Sequence, residues 1–220
     1  MTKSMEKDLE SLKQQLLSLG SLVEEAVSKA VLALDKRDEK LGREVINHDV
    51  QVDLMEVSVE ENCLGILALH QPVASDLRFI IAALKINNDL ERIGDIAVNI
   101  AERTLFLCNQ PQVKAPFDYK TMAAKARAML RASIDAFVKS SPQLAHDVRK
   151  MDDEVDAINR EMYSVVFEKM KQDPLMVEAY CQYISISRHL ERIGDYATNI
   201  AEDVIYMIDG TIVRHRPEFA

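Results

Sequence analysis

The sequence predicts an all-α protein made of two tandem, structurally similar three-helix bundles, six long antiparallel helices in all. Three observations predict it. Helix breakers are scarce, with six Gly and six Pro in 220 residues. Apolar residues recur at helical spacing over long segments. A thirteen-residue block, Leu90–Glu102, also returns one hundred positions later as Leu190–Glu202, with eleven of the thirteen residues identical.

The first helix is expected from about Met5 to Lys36, where Leu9, Leu12, Leu16, Leu19, Val23, Val27 and Leu34 stand near helical spacing. Asp35–Asp38 is a polar break. The second helix runs from about Asp38 to His70 and stops before Pro72, because the residue before a proline is pushed out of the helical region. The third covers about Val73 to Cys108. Residues 109–117 carry two prolines and form the one convincing interdomain linker. This gives a first domain at 1–110, a linker at 111–117 and a second domain at 118–220. The fourth helix is expected at about Asp118–Lys139. Ser141-Pro142 places a capping hydroxyl before a proline at the first helical position, opening a fifth helix to about Gln172. Asp173-Pro174 repeats that signal for the sixth, and Gly210 stops it. Helices of this length joined by tight turns become antiparallel neighbours.

Composition narrows the function. Hydrophobic residues make up 48% and charged residues 29%, an ordinary globular balance. The net charge of −9 and the lack of a dense Lys/Arg stretch argue against nucleic acid as a partner. No apolar run reaches the ~20 residues needed to span a bilayer, and the charged N-terminus is unlike a signal peptide. A cytoplasmic protein is expected. Cys63, Cys108 and Cys181 match no zinc spacing and are expected as small buried or half-buried apolar residues.

The duplicated block carries the chemistry. Everything around it has drifted: the thirteen preceding positions share only Ile86/Ile186, and the seven following share none. Packing alone is a poor reason for such retention, since cores tolerate apolar swaps of similar volume. Glu91 and Asp95 lie four apart and share a helix face with Asn99, opposite Ile93, Ile96 and Ile100. Glu191, Asp195 and Asn199 repeat this. The preceding helix in each half has its own acidic i, i+4 pair, Asp49/Asp53 and Asp152/Asp156. If the second and third helices fold back about Gln71-Pro72, residues at equal height have numbers summing to about 143, and Asp95 and Glu91 face the Asp49/Asp53 pair. In the second half the sum is about 347, and Asp195 and Glu191 face Asp152 and Asp156.

Four carboxylates at one level repel and raise one another's pKa unless cations lie between them. Such hard oxygen donors suit Mg²⁺, Mn²⁺, Ca²⁺ or iron. The expected cofactor is therefore a divalent or trivalent metal ion (Mg, Mn, Fe or Zn). The competing reading is two solvated faces neutralised by arginine. Arg92 and Arg192 are expected to pair with Asp95 and Asp195 at i, i+3. Glu56 and Glu60 extend the first cluster, whereas Asn159 and Tyr163 stand at the matching steps of the second. Gly94 and Gly194 suggest close helix approach or a crowded site. His189 and His48 are expected as polar surface residues.

Leu-Glu-Arg-Ile-Gly-Asp in both halves, Gln71–Arg78 at the hairpin, and Met55-Glu56 after Asp49/Asp53 resemble the PhoU family of phosphate-transport accessory and regulatory proteins. The resemblance covers nearly the whole chain. It implies two similar three-helix bundles with metal clusters on their surfaces. Carried over residue by residue, the ligands would be Asp49, Asp53, Glu91, Asp95, Asp152, Asp156, Glu191 and Asp195. It also implies a non-catalytic negative regulator of the phosphate-starvation response and of phosphate uptake. Its partners would be the ATPase subunit of a phosphate ABC transporter and a phosphate-sensing histidine kinase, with membranes touched only through them. A homodimer is expected. The hairpin motif Pro72–Arg78 has no counterpart in the second half, where Pro174–Glu178 stands. Two other readings compete: a metal-free helical scaffold, and a di-metal carboxylate enzyme. The latter needs Glu-x-x-His motifs facing a four-helix core, and the chain contains none.

Overall fold

The computed structural model describes residues 3–213, so the outer ends of the two expected domains (1–2 and 214–220) lie outside the described residues. Six helices make up two tandem three-helix bundles: α1 Lys3–Lys36, α2 Glu39–His70, α3 Ala74–Cys108, α4 Tyr119–Lys139, α5 Pro142–Gln172 and α6 Val177–Asp209. No strand occurs among the described residues. None of these helices is long and apolar enough to cross a membrane.

Local chemistry sets the helix ends. Asp38 accepts a hydrogen bond from Leu41 N–H at 3.0 Å and opens α2. Asp118 opens α4 through the Thr121 N–H at 3.1 Å and the Thr121 hydroxyl at 2.6 Å. Ser141 opens α5 more weakly, through the Leu144 N–H at 3.4 Å. Removing a cap costs about 1 kcal/mol. Asp118→Ala is therefore expected to lower the melting temperature by roughly 2–4 °C, and Ser141→Ala by less, in calorimetry at neutral pH. The start of α6 departs from the sequence expectation. Asp173 caps nothing with its side chain; its N–H closes α5 onto the Lys169 carbonyl, and Pro174–Met176 forms a 3-10 turn before α6 begins at Val177. Pro142 opens α5 directly because Ser141 caps its first turn, whereas Asp173 gives the first turn after Pro174 no side-chain acceptor, and that turn closes as a 3-10 turn. Three of the tight turns also hold non-glycine residues in the left-handed region: Arg37 (φ 49°), Gln71 (φ 46°) and Ser140 (φ 47°).

The apolar stripe foreseen on α1 is buried from Leu12 to Leu34, and Leu9 packs against it half-buried. Within the first half α1, α2 and α3 touch pairwise, as α4, α5 and α6 do in the second. The halves meet through α3 against α6 and α1 against α4, and one core cluster runs through both. Lys85 pairs with Asp203 at 2.9 Å and Arg78 reaches the Met207 carbonyl at 3.3 Å, which fixes α3 and α6 as antiparallel. Phe79 stacks on Phe137 across the halves, with centroids 5.5 Å apart. The non-helical segment 109–118 is clamped: Val113 and Phe117 pack on the core, and the Arg37 guanidinium bonds the Leu107 and Gln110 carbonyls. Cys63 is buried and Cys108 half-buried, but Cys181 is exposed, contrary to expectation.

Candidate metal centre

The hairpin register brings the two acidic pairs of each half together. In the first half Asn87 Nδ2 donates to the Glu56 carbonyl at 3.0 Å and to its carboxylate at 2.9 Å. A Cβ added to Gly94 would stand 3.4 Å from Asp49 Oδ1 and 3.1 Å from Val52 Cγ1. Both contacts with acidic residues join positions whose numbers sum to 143. In the second half Ser187 donates to Asn159 Oδ1 at 2.8 Å, and a Cβ on Gly194 would meet Asp152 Oδ1 at 3.1 Å. Both fit a sum of 346. Each glycine of the duplicated block is buried and leaves room for the first aspartate of the neighbouring helix.

The remaining carboxylates stand around these pairs. Ile93, Ile96, Ile100, Ile193 and Ile200 enter the core, which leaves Glu91, Asp95, Glu191 and Asp195 on the outer side of their helices. Burial pushes the Asp49 carboxyl up to about 6, helped by the neighbouring charges of Asp53 and Asp95. Burial likewise raises Asp152 to about 6, with Asp156, Asp195, Asp153 and Glu191 adding to it. Glu91 is raised by burial and by Asp95 and Asp53, and Glu191 by burial and by Asp195 and Asp156. Asp195 is raised by burial and by Asp156. The acidic pairs of each half thus stand close enough to raise one another's pKa, with burial the first cause and the neighbouring carboxylates the second.

Asp152 Oδ1 is buried with no hydrogen-bond partner. A buried acceptor of this kind fits a hard metal ion or a bound water. Among the described residues, no three carboxylate, imidazole or thiol groups converge closely enough to enclose an ion. The clusters are open arrays in which side chains would have to turn inward onto the metal.

The arginines behave differently from expectation. Among the described residues no ion pair joins Arg92 to Asp95 or Arg192 to Asp195. Arg192 instead donates to the Tyr196 hydroxyl at 3.1 Å and lies over its ring. Asp156 is the acid that gains a partner, Arg160 at 3.3 Å. His189 is not a surface residue: it lies half-buried beside Arg103, Arg188 and Arg192, its Nδ1 unpartnered, and burial with these cations lowers its pKa to about 4. The one sign of this in the sequence is the Arg-rich setting, with Arg188 and Arg192 on either side. Asn87 lies just outside the duplicated block, so the hairpin count alone, and not the repeat, places it opposite Glu56.

The glycines give a direct test. Alanine at position 194 recovers about 1 kcal/mol of helix propensity but crowds Asp152 Oδ1. Gly194→Ala is expected to leave metal-free stability within about 1 kcal/mol of wild type, while a Mn²⁺-induced rise in melting temperature shrinks.

Comparison with known proteins adds three findings. The model of the PhoU domain family matches residues 16–104 and again 119–204. A curated relative from Aquifex aeolicus, named as a phosphate-specific transport system accessory protein PhoU homolog, is 38% identical over 96% of this chain and 95% of its own. A homolog of the same name from Pseudomonas putida is 39% identical over 94% of this chain and 82% of its own. Two crystal structures match with TM-scores of 0.89. One is PhoU from Pseudomonas aeruginosa, 38% identical over 94% of this chain and 99% of that chain. The other is the phosphate transport system regulatory protein PhoU from Streptococcus pneumoniae, 32% identical over 95% and 99%.

Proposed function

We propose, because this chain belongs to the PhoU family, that it is a non-catalytic negative regulator of the phosphate-starvation response and of phosphate uptake. In this reading it is a cytoplasmic, homodimeric, metal-binding adaptor with domains at 1–110 and 118–220. It links the ATPase subunit of a phosphate ABC transporter to a phosphate-sensing histidine kinase and touches the membrane only through them. The observation that carries the reading is likeness over 94–96% of the chain to proteins named as accessory to phosphate-specific transport. The two carboxylate clusters support the metal-binding part, through the raised Asp49 and Asp152 and the unpartnered Asp152 oxygen. A di-metal enzyme is disfavoured because the clusters lie on helix surfaces and not in a four-helix core.

A metal-free scaffold is the second reading, favoured by the Arg160–Asp156 pair, which neutralises part of the second cluster without a cation. Deleting the gene is expected to release alkaline phosphatase in high phosphate. Alkaline phosphatase that stays repressed contradicts the regulatory reading. A pull-down against the transporter ATPase and the kinase checks the adaptor role.

A further inference from the structure

Another face of α2 is apolar and uncovered. Val50, Leu54, Val57 and Leu64 are 60%, 69%, 48% and 54% exposed, while Val45, Val52, Val59 and Ile66 of the same helix fill the core. The exposed four lie on one heptad seam, 50-54-57-61-64-68, whose other steps are exposed Glu61 and Ala68. That spacing is the one helices use to pack in parallel or antiparallel pairs, and the seam is about 27 Å long at 1.5 Å per residue. Among the described residues α2 touches only α1 and α3, so no described helix covers it.

The sister helix shows that the fold does not demand this seam. With Asp49 matched to Asp152, the corresponding α5 positions are Asp153, Ala157, Arg160, Ser164, Phe167 and Lys171. One repeat keeps an apolar seam where the other is solvated, and contiguous exposed apolar surface of this kind marks an interaction site.

Charge selects the occupant. From Glu44 to His70 the helix carries Glu44, Asp49, Asp53, Glu56, Glu60 and Glu61, and no Lys or Arg. Asp53 and Glu60 border the seam and Glu61 lies within it. A second copy related by a twofold axis would bring the same acidic border against itself. An anionic membrane or a nucleic acid would be repelled. We propose that the α2 seam docks an amphipathic helix of a partner protein, its apolar stripe flanked by Lys and Arg along the Asp53/Glu60 border. This rests on the adaptor reading only in taking the partner to be a protein.

The test uses the full chain in EDTA and a fluorescein-labelled helical peptide about three heptads long, with a Leu seam and one Lys/Arg border. A second peptide carries Glu on that border. Fluorescence anisotropy is expected to show the basic peptide binding at least roughly tenfold tighter than the acidic one. Leu54→Ser/Val57→Ser/Leu64→Ser, on exposed positions with folding checked by circular dichroism, is expected to weaken binding by a similar factor. Glu60→Gln/Glu61→Gln is expected to weaken it and flatten its salt dependence. Equal binding of the two peptides, or equal binding by wild type and seam variant, overturns the proposal. So does self-association in sedimentation equilibrium, or binding to phosphatidylcholine vesicles, that the seam variant abolishes while the peptide fails to bind. The assay contains neither transporter nor kinase. Its failure therefore leaves the adaptor reading standing, whereas that reading falls on the pull-down against the transporter ATPase and the kinase.

Discussion

At pH 7.5 in EDTA, Asp49→Asn/Asp152→Asn is expected to melt above wild type by roughly 4–8 °C. Both carboxyls have folded-state pKa values of about 6, well above the ordinary 3.8. The folded protein therefore holds these protons more tightly than the unfolded chain. Their stabilising contribution is complete below pH 3.8 and is lost as the pH rises through 6. At pH 7.5 both are ionised, poorly solvated and next to like charges. Two pKa units correspond to about 3 kcal/mol per group at full effect. Both side chains are partly exposed, and solvent screening reduces this to about 1 kcal/mol each. Asparagine keeps the shape and removes the charge. The advantage should shrink as the pH falls below 6 and vanish below about 3.8. Calorimetry across that range checks the sign and the window together.

Metal is expected to reverse that order. A ligand that binds only the folded state at a hundred times its Kd adds about 2.7 kcal/mol per site, or roughly 5–10 °C for a chain of this size. Wild type should therefore rise in Mn²⁺ while Asp49→Asn/Asp152→Asn does not, and the two melting curves cross. Glu91→Ala/Asp95→Ala should remove the first-half share of the rise, and Glu191→Ala/Asp195→Ala the second-half share. The first cluster should fill at lower metal concentration. It adds Glu56, held by Asn87, whereas Asp156 in the second cluster already pairs with Arg160.

Much of this was legible in the sequence. The six helices begin and end near their caps, stops and prolines, because those signals act within one turn. The register of each hairpin followed from counting back from the turn, and the contacts Asn87–Glu56 and Ser187–Asn159 fall where that count puts them. Helix geometry leaves little freedom once the turn is placed. Three things were not legible. The packing of α3 on α6 depends on the width of the buried band, which includes Ala82, Ala83, Ala97, Ala101, Ala197 and Ala201, and spacing alone does not say which partner fills it. Arg192 could reach Asp195 or Tyr196 from the same backbone, and rotamer choice settled it. His189 sits on α6 facing Arg103 of α3, a neighbour set by the docking of the halves and not by anything local.

Elemental analysis of the purified chain, read beside Glu91→Ala/Asp95→Ala and Glu191→Ala/Asp195→Ala, tests the central claim most directly. The account predicts bound metal in wild type, part of it lost in each double variant and nearly all of it in the quadruple variant. Metal-free wild type whose melting is unmoved by Mg²⁺, Mn²⁺ or iron would contradict it.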